Sequence, residues 1–228
     1  MSELNIRGFL PQSLVDYPDN IASVIFFGGC NMSCPFCYNK DLVIAPEKYD
    51  KLTEEWVLHE LERRKKFIDG VVLSGGEPTM YDIEEFIKKI KALGLLVKLD
   101  TNGLDPEKLK SLLPLVDYVA MDVKAARQRY KDAAGVDLDL KKIEESIELL
   151  KRSGTPHEFR TTVVPAFIPE EDFESLVDLI EGAETYYIQQ YRPVKEAGPL
   201  STAYEPQKLK EFAEIAAKKV KHATVRGI

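Results

Sequence analysis

The stretch IASVIFFGGCNMSCPFC, Ile21 to Cys37, runs from an apolar segment rich in β-branched and aromatic residues through a glycine pair into three cysteines within eight positions. Its first seven residues predict a strand, and the loop behind it holds every cysteine of the 228-residue chain: Cys30, Cys34 and Cys37. A disulfide would pair two thiols and strand the third. A structural zinc site takes four ligands, and His59, His157 and His222 all lie far from the loop in sequence, so zinc is the lesser alternative. A ferredoxin-like cluster takes four thiolates, and the chain has no fourth cysteine. Three thiolates on a four-iron cluster would leave one iron open to small nitrogen and oxygen ligands, as a catalytic zinc keeps one position for water.

Outward from this stretch, short apolar runs alternate with helical patterns, the signature of parallel β/α units. Further strands are predicted at Phe67–Leu73, Leu95–Asp100, Val116–Val123, Glu158–Val164 and Thr185–Tyr191. Helices are predicted at Thr53–Lys66 with Thr53 as N-cap, Tyr81–Leu93, Pro106–Leu113, Leu138–Arg152, Glu171–Glu181 and Pro206–Lys219. That makes about six β/α units in one domain over residues 1–228, with no linker or repeat. Eight units normally need roughly 250 residues, so the expected fold is α/β, a partial (β/α)6 barrel.

Polar residues then fall at the C-terminal ends of predicted strands, where such a barrel does chemistry. They are Ser74-Gly75-Gly76-Glu77-Pro78, Asp100-Thr101-Asn102-Gly103, and Asp122-Val123-Lys124. Ala120, Asp122 and Lys124 share one strand face by period two, and a carboxylate and an ammonium pointing inward need each other or a ligand. Each group also has a plainer explanation: a turn with a helix start, a loop, a structural ion pair. A net charge of −7 without a long Lys/Arg run argues against nucleic acid as a partner. No segment offers the roughly 18 continuous apolar residues of a membrane span, and the start MSELNIRGFL lacks a signal-like pattern; a cytoplasmic protein is expected.

The Cys-x3-Cys-x2-Cys spacing with an aromatic before the last cysteine, followed by Gly75-Gly76-Glu77-Pro78 at the next strand end, resembles the radical S-adenosylmethionine (SAM) superfamily. The resemblance implies that Cys30, Cys34 and Cys37 hold a 4Fe-4S cluster whose open iron is chelated by SAM. One-electron reduction would then cleave SAM to methionine and a 5′-deoxyadenosyl radical. It places Phe36 against the adenine, and Gly75, Gly76 and Glu77 about the methionyl amino group. SLVDYPDNIASVIFFGGCNMSCPFCYN, LDTNGL, YVAMDVK and FRTTVVP further resemble the glycyl-radical-enzyme activases, most of all the anaerobic ribonucleoside-triphosphate reductase activating protein group. By position, that likeness implies a monovalent cation, sodium or potassium, at Asp100, Thr101, the Ala120 carbonyl and Asp122, with Lys124 and Arg160 approaching SAM. Tyr38 departs from the group, which usually has His after the third cysteine. The implied partners are a glycyl radical enzyme, of anaerobic ribonucleotide reductase or pyruvate formate-lyase type, and a flavodoxin- or ferredoxin-type electron donor. A radical SAM enzyme acting on a small metabolite and a non-enzymatic iron-sulfur electron-transfer module are the alternatives.

Overall fold

The computed structural model describes residues 4–194 and 198–228. By its internal contacts the chain divides into two compact units, one of residues 1–31 and 39–120, the other of residues 32–38 and 121–228.

In the first unit, β1 (Ile6–Ser13) lies antiparallel to β2 (Ala22–Phe27), and β2, β3 (Gly70–Gly75) and β4 (Leu96–Thr101) are parallel neighbours in that order. Val71, Val72 and Leu73 are wholly buried, the continuous apolar run of a strand covered on both faces. The connecting helices are α1 (Lys40–Ile44), α2 (Glu54–Arg64), α3 (Glu84–Ala92) and α4 (Pro106–Leu112). Thr53 caps α2 by accepting from the Trp56 N–H, and Asp105 caps α4 by accepting from Lys108 N–H, each satisfying a donor the helix leaves without a partner. Helix α3 presents Phe86, Ile87 and Ile90 to the core, the three-to-four spacing of an amphipathic stripe.

The chain passes from the first unit to the second inside β5 (Tyr118–Asp122). Just before β5, the Asp117 N–H bonds the Val97 carbonyl at 2.8 Å; just after it, the Val123 N–H bonds the Arg160 carbonyl at 2.8 Å. The second unit then carries α5 (Tyr130–Ala134), α6 (Leu140–Ser153), β6 (His157–Val163), α7 (Glu170–Val177), β7 (Thr185–Gln190), α8 (Pro206–Ala216) and β8 (His222–Arg226). Strands β6, β7 and β8 are parallel in that order. Phe173 of α7 and Phe212 of α8 stack with centroids 4.1 Å apart.

The architecture is α/β, and β2 to β7 are each followed by a helix, the expected six units. All six predicted strands form. Two further strands, β1 and β8, had no sequence forecast: Gly8 and Pro11 break the alternation of β1, and β8 (HATVR) buries no residue fully. Helix α7 ends at Val177, short of the expected Glu181, and tightens into a 3-10 turn over Asp178–Ile180.

Candidate active site

The register of β2 against β3 pairs Phe26 with Ser74 and Phe27 with Gly75, so the chain leaves both strands at the same level. Two backbone bonds join the departing loops: the Gly76 N–H donates to the Phe27 carbonyl at 2.7 Å, and the Glu77 N–H to the Gly29 carbonyl at 2.9 Å. No side chain fits at this seam. A Cβ on Gly76 would lie 1.8 Å from the Gly29 carbonyl oxygen, and Gly75, at φ +101°, would bring one to 2.6 Å from the Phe27 nitrogen. The glycines therefore allow the chain to approach itself, and a substitution such as Gly76→Val strikes the fold of the loop before it reaches any ligand.

Glu77 is buried, and its carboxylate is fully employed. It accepts from Thr79 N–H and hydroxyl at 3.2 and 2.6 Å, from the Thr101 hydroxyl at 2.8 Å and from the Asn102 N–H at 2.7 Å. Burial pushes its carboxyl above the ordinary value, with these four donors working in the opposite sense. Glu77 thus ties the end of β3 to the end of β4. The Thr101 hydroxyl also accepts from Gly103 N–H at 3.1 Å.

Asp100 lies one residue before that junction. Its carboxylate accepts from the Ser74 hydroxyl at 3.0 Å and from the ammonium of Lys98, a lysine only 1% exposed. Lys98 was the missed member here, although the period-two rule that groups Asp122 with Lys124 also places Lys98 on the face of Asp100. Asn102, named in the sequence as part of the strand-end group but given no role of its own, donates its side-chain amide to the Cys30 Sγ at 3.6 Å and to the Asn31 Oδ1 at 2.7 Å. The first unit therefore gathers Cys30, Gly75, Gly76, Glu77, Asp100 and Thr101 at the ends of β2, β3 and β4, with Ala120 buried in β5.

The second unit holds Cys34, Phe36 and Cys37. The Cys37 N–H closes a turn onto the Cys34 carbonyl at 3.1 Å, and the Ser33 N–H bonds the Ala134 carbonyl at 2.9 Å. Gly135 ends α5 at φ +68°, and a Cβ there would lie 2.1 Å from the Ser33 carbonyl oxygen, so the loop rests on a bare helix end. Phe36 is buried with its ring 5.5 Å from that of Phe167. The Tyr38 hydroxyl accepts from the Arg192 N–H at 2.7 Å while its ring stacks on Tyr191 at 6.2 Å, a tether that an imidazole of shorter reach would not make.

Asp122 lies between two cations, accepting from Lys124 Nζ at 2.8 Å and Arg160 Nε at 2.9 Å. Burial alone would raise its carboxyl, but Lys124 and Arg160 outweigh it and hold the group well below the usual carboxylate range. Burial likewise works against the Lys124 ammonium, and Asp122 with the nearby Cys34 more than offsets it, so Lys124 stays charged. Lys124 in turn opposes the upward push of burial on the Cys34 thiol, and positive charge beside a cysteine favours the thiolate. Asp100 and Asp122 are each balanced by an ammonium of the chain, so neither needs an added cation for neutrality.

The donor set fits an iron-sulfur cluster. None of the three cysteines forms a disulfide, each is only partly buried, and Cys30 receives an N–H of the kind that supports a ligating sulfur. Among the described residues no three His, Cys, Asp or Glu side chains are grouped to hold a metal ion. Among these residues, too, no helix is long and apolar enough to cross a membrane.

Two comparisons with known proteins identify the family, and a third shows the fold. The profile described as the Radical SAM superfamily matches residues 24–182. A Methanocaldococcus jannaschii protein provisionally named a glycyl-radical enzyme activating enzyme is 34% identical over 235 residues, which cover 98% of this chain and 96% of that protein. The pyruvate formate-lyase-activating enzyme of Clostridium pasteurianum is 33% identical over 126 residues, 52% of each chain. Among solved structures, Streptococcus suis SuiB bound to precursor peptide SuiA shares the fold with a TM-score of 0.66 at 16% identity, over 90% of this chain and 48% of that one.

Proposed function

The chain belongs to the radical SAM superfamily, among the relatives of glycyl-radical-enzyme activating enzymes, and from that premise we propose that it installs a glycyl radical in a partner protein. When bound at Cys30, Cys34 and Cys37, the 4Fe-4S cluster supplies the electron that breaks the sulfur–C5′ bond of SAM, giving methionine and a 5′-deoxyadenosyl radical. That radical would take a hydrogen atom from the α-carbon of the partner's glycine and leave as 5′-deoxyadenosine. The single electron comes from a low-potential donor of flavodoxin or ferredoxin type.

The chain's own residues do the positioning. The backbone seam of Gly75 to Glu77 holds the loop that follows β3 against the glycine pair before Cys30. The Lys124–Asp122–Arg160 group, one anion between two cations, offers positive charge to the SAM carboxylate. Phe36 offers a flat apolar face to the adenine. A sodium or potassium ion at Asp100, Thr101, Ala120 and Asp122 belongs to the same proposal and rests on the resemblance, because both carboxylates already have partners. Its test is 5′-deoxyadenosine yield in potassium, sodium and a bulky organic cation at constant ionic strength; equal yields in all three would remove the ion from the proposal.

The observation that carries the reading is the near full-length likeness to one activating-enzyme relative combined with a chain that contains three cysteines and no fourth. The test is anaerobic reconstitution followed by reduction with SAM. The expected outcome is a SAM-perturbed cluster signal, 5′-deoxyadenosine, and a glycyl radical by electron paramagnetic resonance (EPR) in a co-incubated glycyl radical enzyme. Replacing Cys30, Cys34 or Cys37 by Ala should remove the cluster. Zinc in place of iron, or a cluster that SAM leaves unchanged, would refute the enzyme; 5′-deoxyadenosine formed only with a small metabolite would refute the protein substrate.

A further inference from the structure

Asn102 is held by three independent contacts that together aim one N–H at a sulfur. Its backbone N–H is fixed by the buried Glu77 carboxylate at 2.7 Å, and its side-chain oxygen accepts from the Leu104 N–H at 3.0 Å. The orientation of the amide follows, because reversing it would set the NH2 group against the Leu104 N–H and the oxygen against the Asn31 Oδ1. The nitrogen therefore faces Cys30 Sγ at 3.6 Å and the Asn31 Oδ1 at 2.7 Å. The residue is 6% exposed, so water competes little for these bonds. Within the loop the side chain supports the Leu104 N–H, a bond that Asn102→Asp keeps; the Gly103 N–H is taken by the Thr101 hydroxyl, and helix α4 has its own cap in Asp105.

We propose that Asn102 sets the reduction potential of the cluster by hydrogen-bonding the Cys30 ligand, acting as a positioning and tuning residue that never touches the reacting atoms. A donor to a ligating thiolate withdraws electron density from sulfur and stabilises the more negative, reduced cluster, so its presence raises the potential. The physical reason for such a device lies in the energetics of the step. A cluster too hard to reduce takes no electron from a biological donor, and one too easy to reduce holds its electron back from SAM. Glu77 gives this control a link to the SAM side of the loop, since one carboxylate fixes both the glycine loop and the Asn102 backbone.

The inference rests on the proposed 4Fe-4S cluster, and the test separates the two. Wild type, Asn102→Leu and Asn102→Asp are reconstituted, iron and sulfide are counted, and reduction is followed by EPR in a poised titration. The leucine variant, of similar size and without charge, should show a reduced-to-oxidised ratio about tenfold lower at a fixed potential, a shift of about 59 mV for a one-electron couple; the aspartate variant should shift further. Asn31→Ala, which removes the other acceptor and keeps the donor, should stay close to wild type. In wild type labelled with 15N-asparagine, pulsed EPR should detect a weak nitrogen coupling that Asn102→Asp abolishes. An unchanged potential in cluster-loaded Asn102→Leu, an equal shift in Asn31→Ala, or loss of the cluster from both Asn102 variants would overturn the tuning role. A wild-type protein that binds no cluster at all would overturn the reading beneath it as well.

Discussion

At the scale of single residues, the informative positions are those where a missing side chain lets two backbones meet. The cysteine spacing and the Gly-Gly-Glu-Pro turn were legible because both are local in sequence. Gly135 was not: it sits about a hundred residues from Ser33, and nothing in YKDAAG announces what the helix end supports. The Gly135→Ala variant should lose on the order of 1–3 kcal/mol, since it forces a left-handed residue and an overlap with the Ser33 carbonyl. The loop carrying Cys34 should shift with it, so iron content after reconstitution should fall below half of wild type while the far-UV spectrum is kept. Full iron loading in Gly135→Ala would show that the loop does not depend on α5. Asn102 carried no role in the sequence for a different reason: its partners Glu77 and Cys30 are far away along the chain, and only the folded register brings them together. Lys98 stands two residues from Asp100 and was overlooked although strand alternation alone pairs them.

At the scale of elements, the strands carry charge in compensated sets, Lys98 with Asp100 within β4, and Asp122 at the end of β5 with Lys124 just after it and Arg160 within β6. The alternation of apolar runs and helical stripes made the six β/α units readable, while β1 and β8 were hidden because edge strands bury too little to leave a pattern. The pairing of Asp122 gives a pH dependence with a definite sign. Its folded carboxyl lies below the unfolded value of 3.8, so its contribution to stability is complete above about pH 5 and fades as the pH falls through the depressed value. Replacing it with Asn should cost about 1–3 kcal/mol at neutral pH, less than the roughly 3–5 of a fully buried pair, because the Asp122 side chain is 31% exposed. Chemical denaturation of both proteins at several pH values should show that gap constant near neutrality and narrowing below pH 4. A gap that widens in acid would mean that Asp122 is not the group stabilised by Lys124 and Arg160.

At the scale of the whole molecule, the chain changes unit at three points, after Asn31, after Tyr38 and within β5. No cut between two adjacent residues separates the units, so the polypeptide should unfold as one domain. Calorimetry of the metal-free protein should give a single transition with agreeing calorimetric and van't Hoff enthalpies; two resolved transitions would mean two domains. The backbone bonds around the cysteine loop carry a further consequence. Gly28 N–H is held by the Asn5 carbonyl, Gly29 N–H by that of Leu42 and Ser33 N–H by that of Ala134, and none of them involves a sulfur. The ordering entropy of this loop is met when the polypeptide folds, before any metal arrives. Damage by oxygen should therefore strip the inorganic core and leave its mould standing. Air-bleached protein, once its thiols are reduced, should take up iron and sulfide again at the native rate without passing through denaturant, so that in a cell repair becomes a matter of delivery instead of resynthesis.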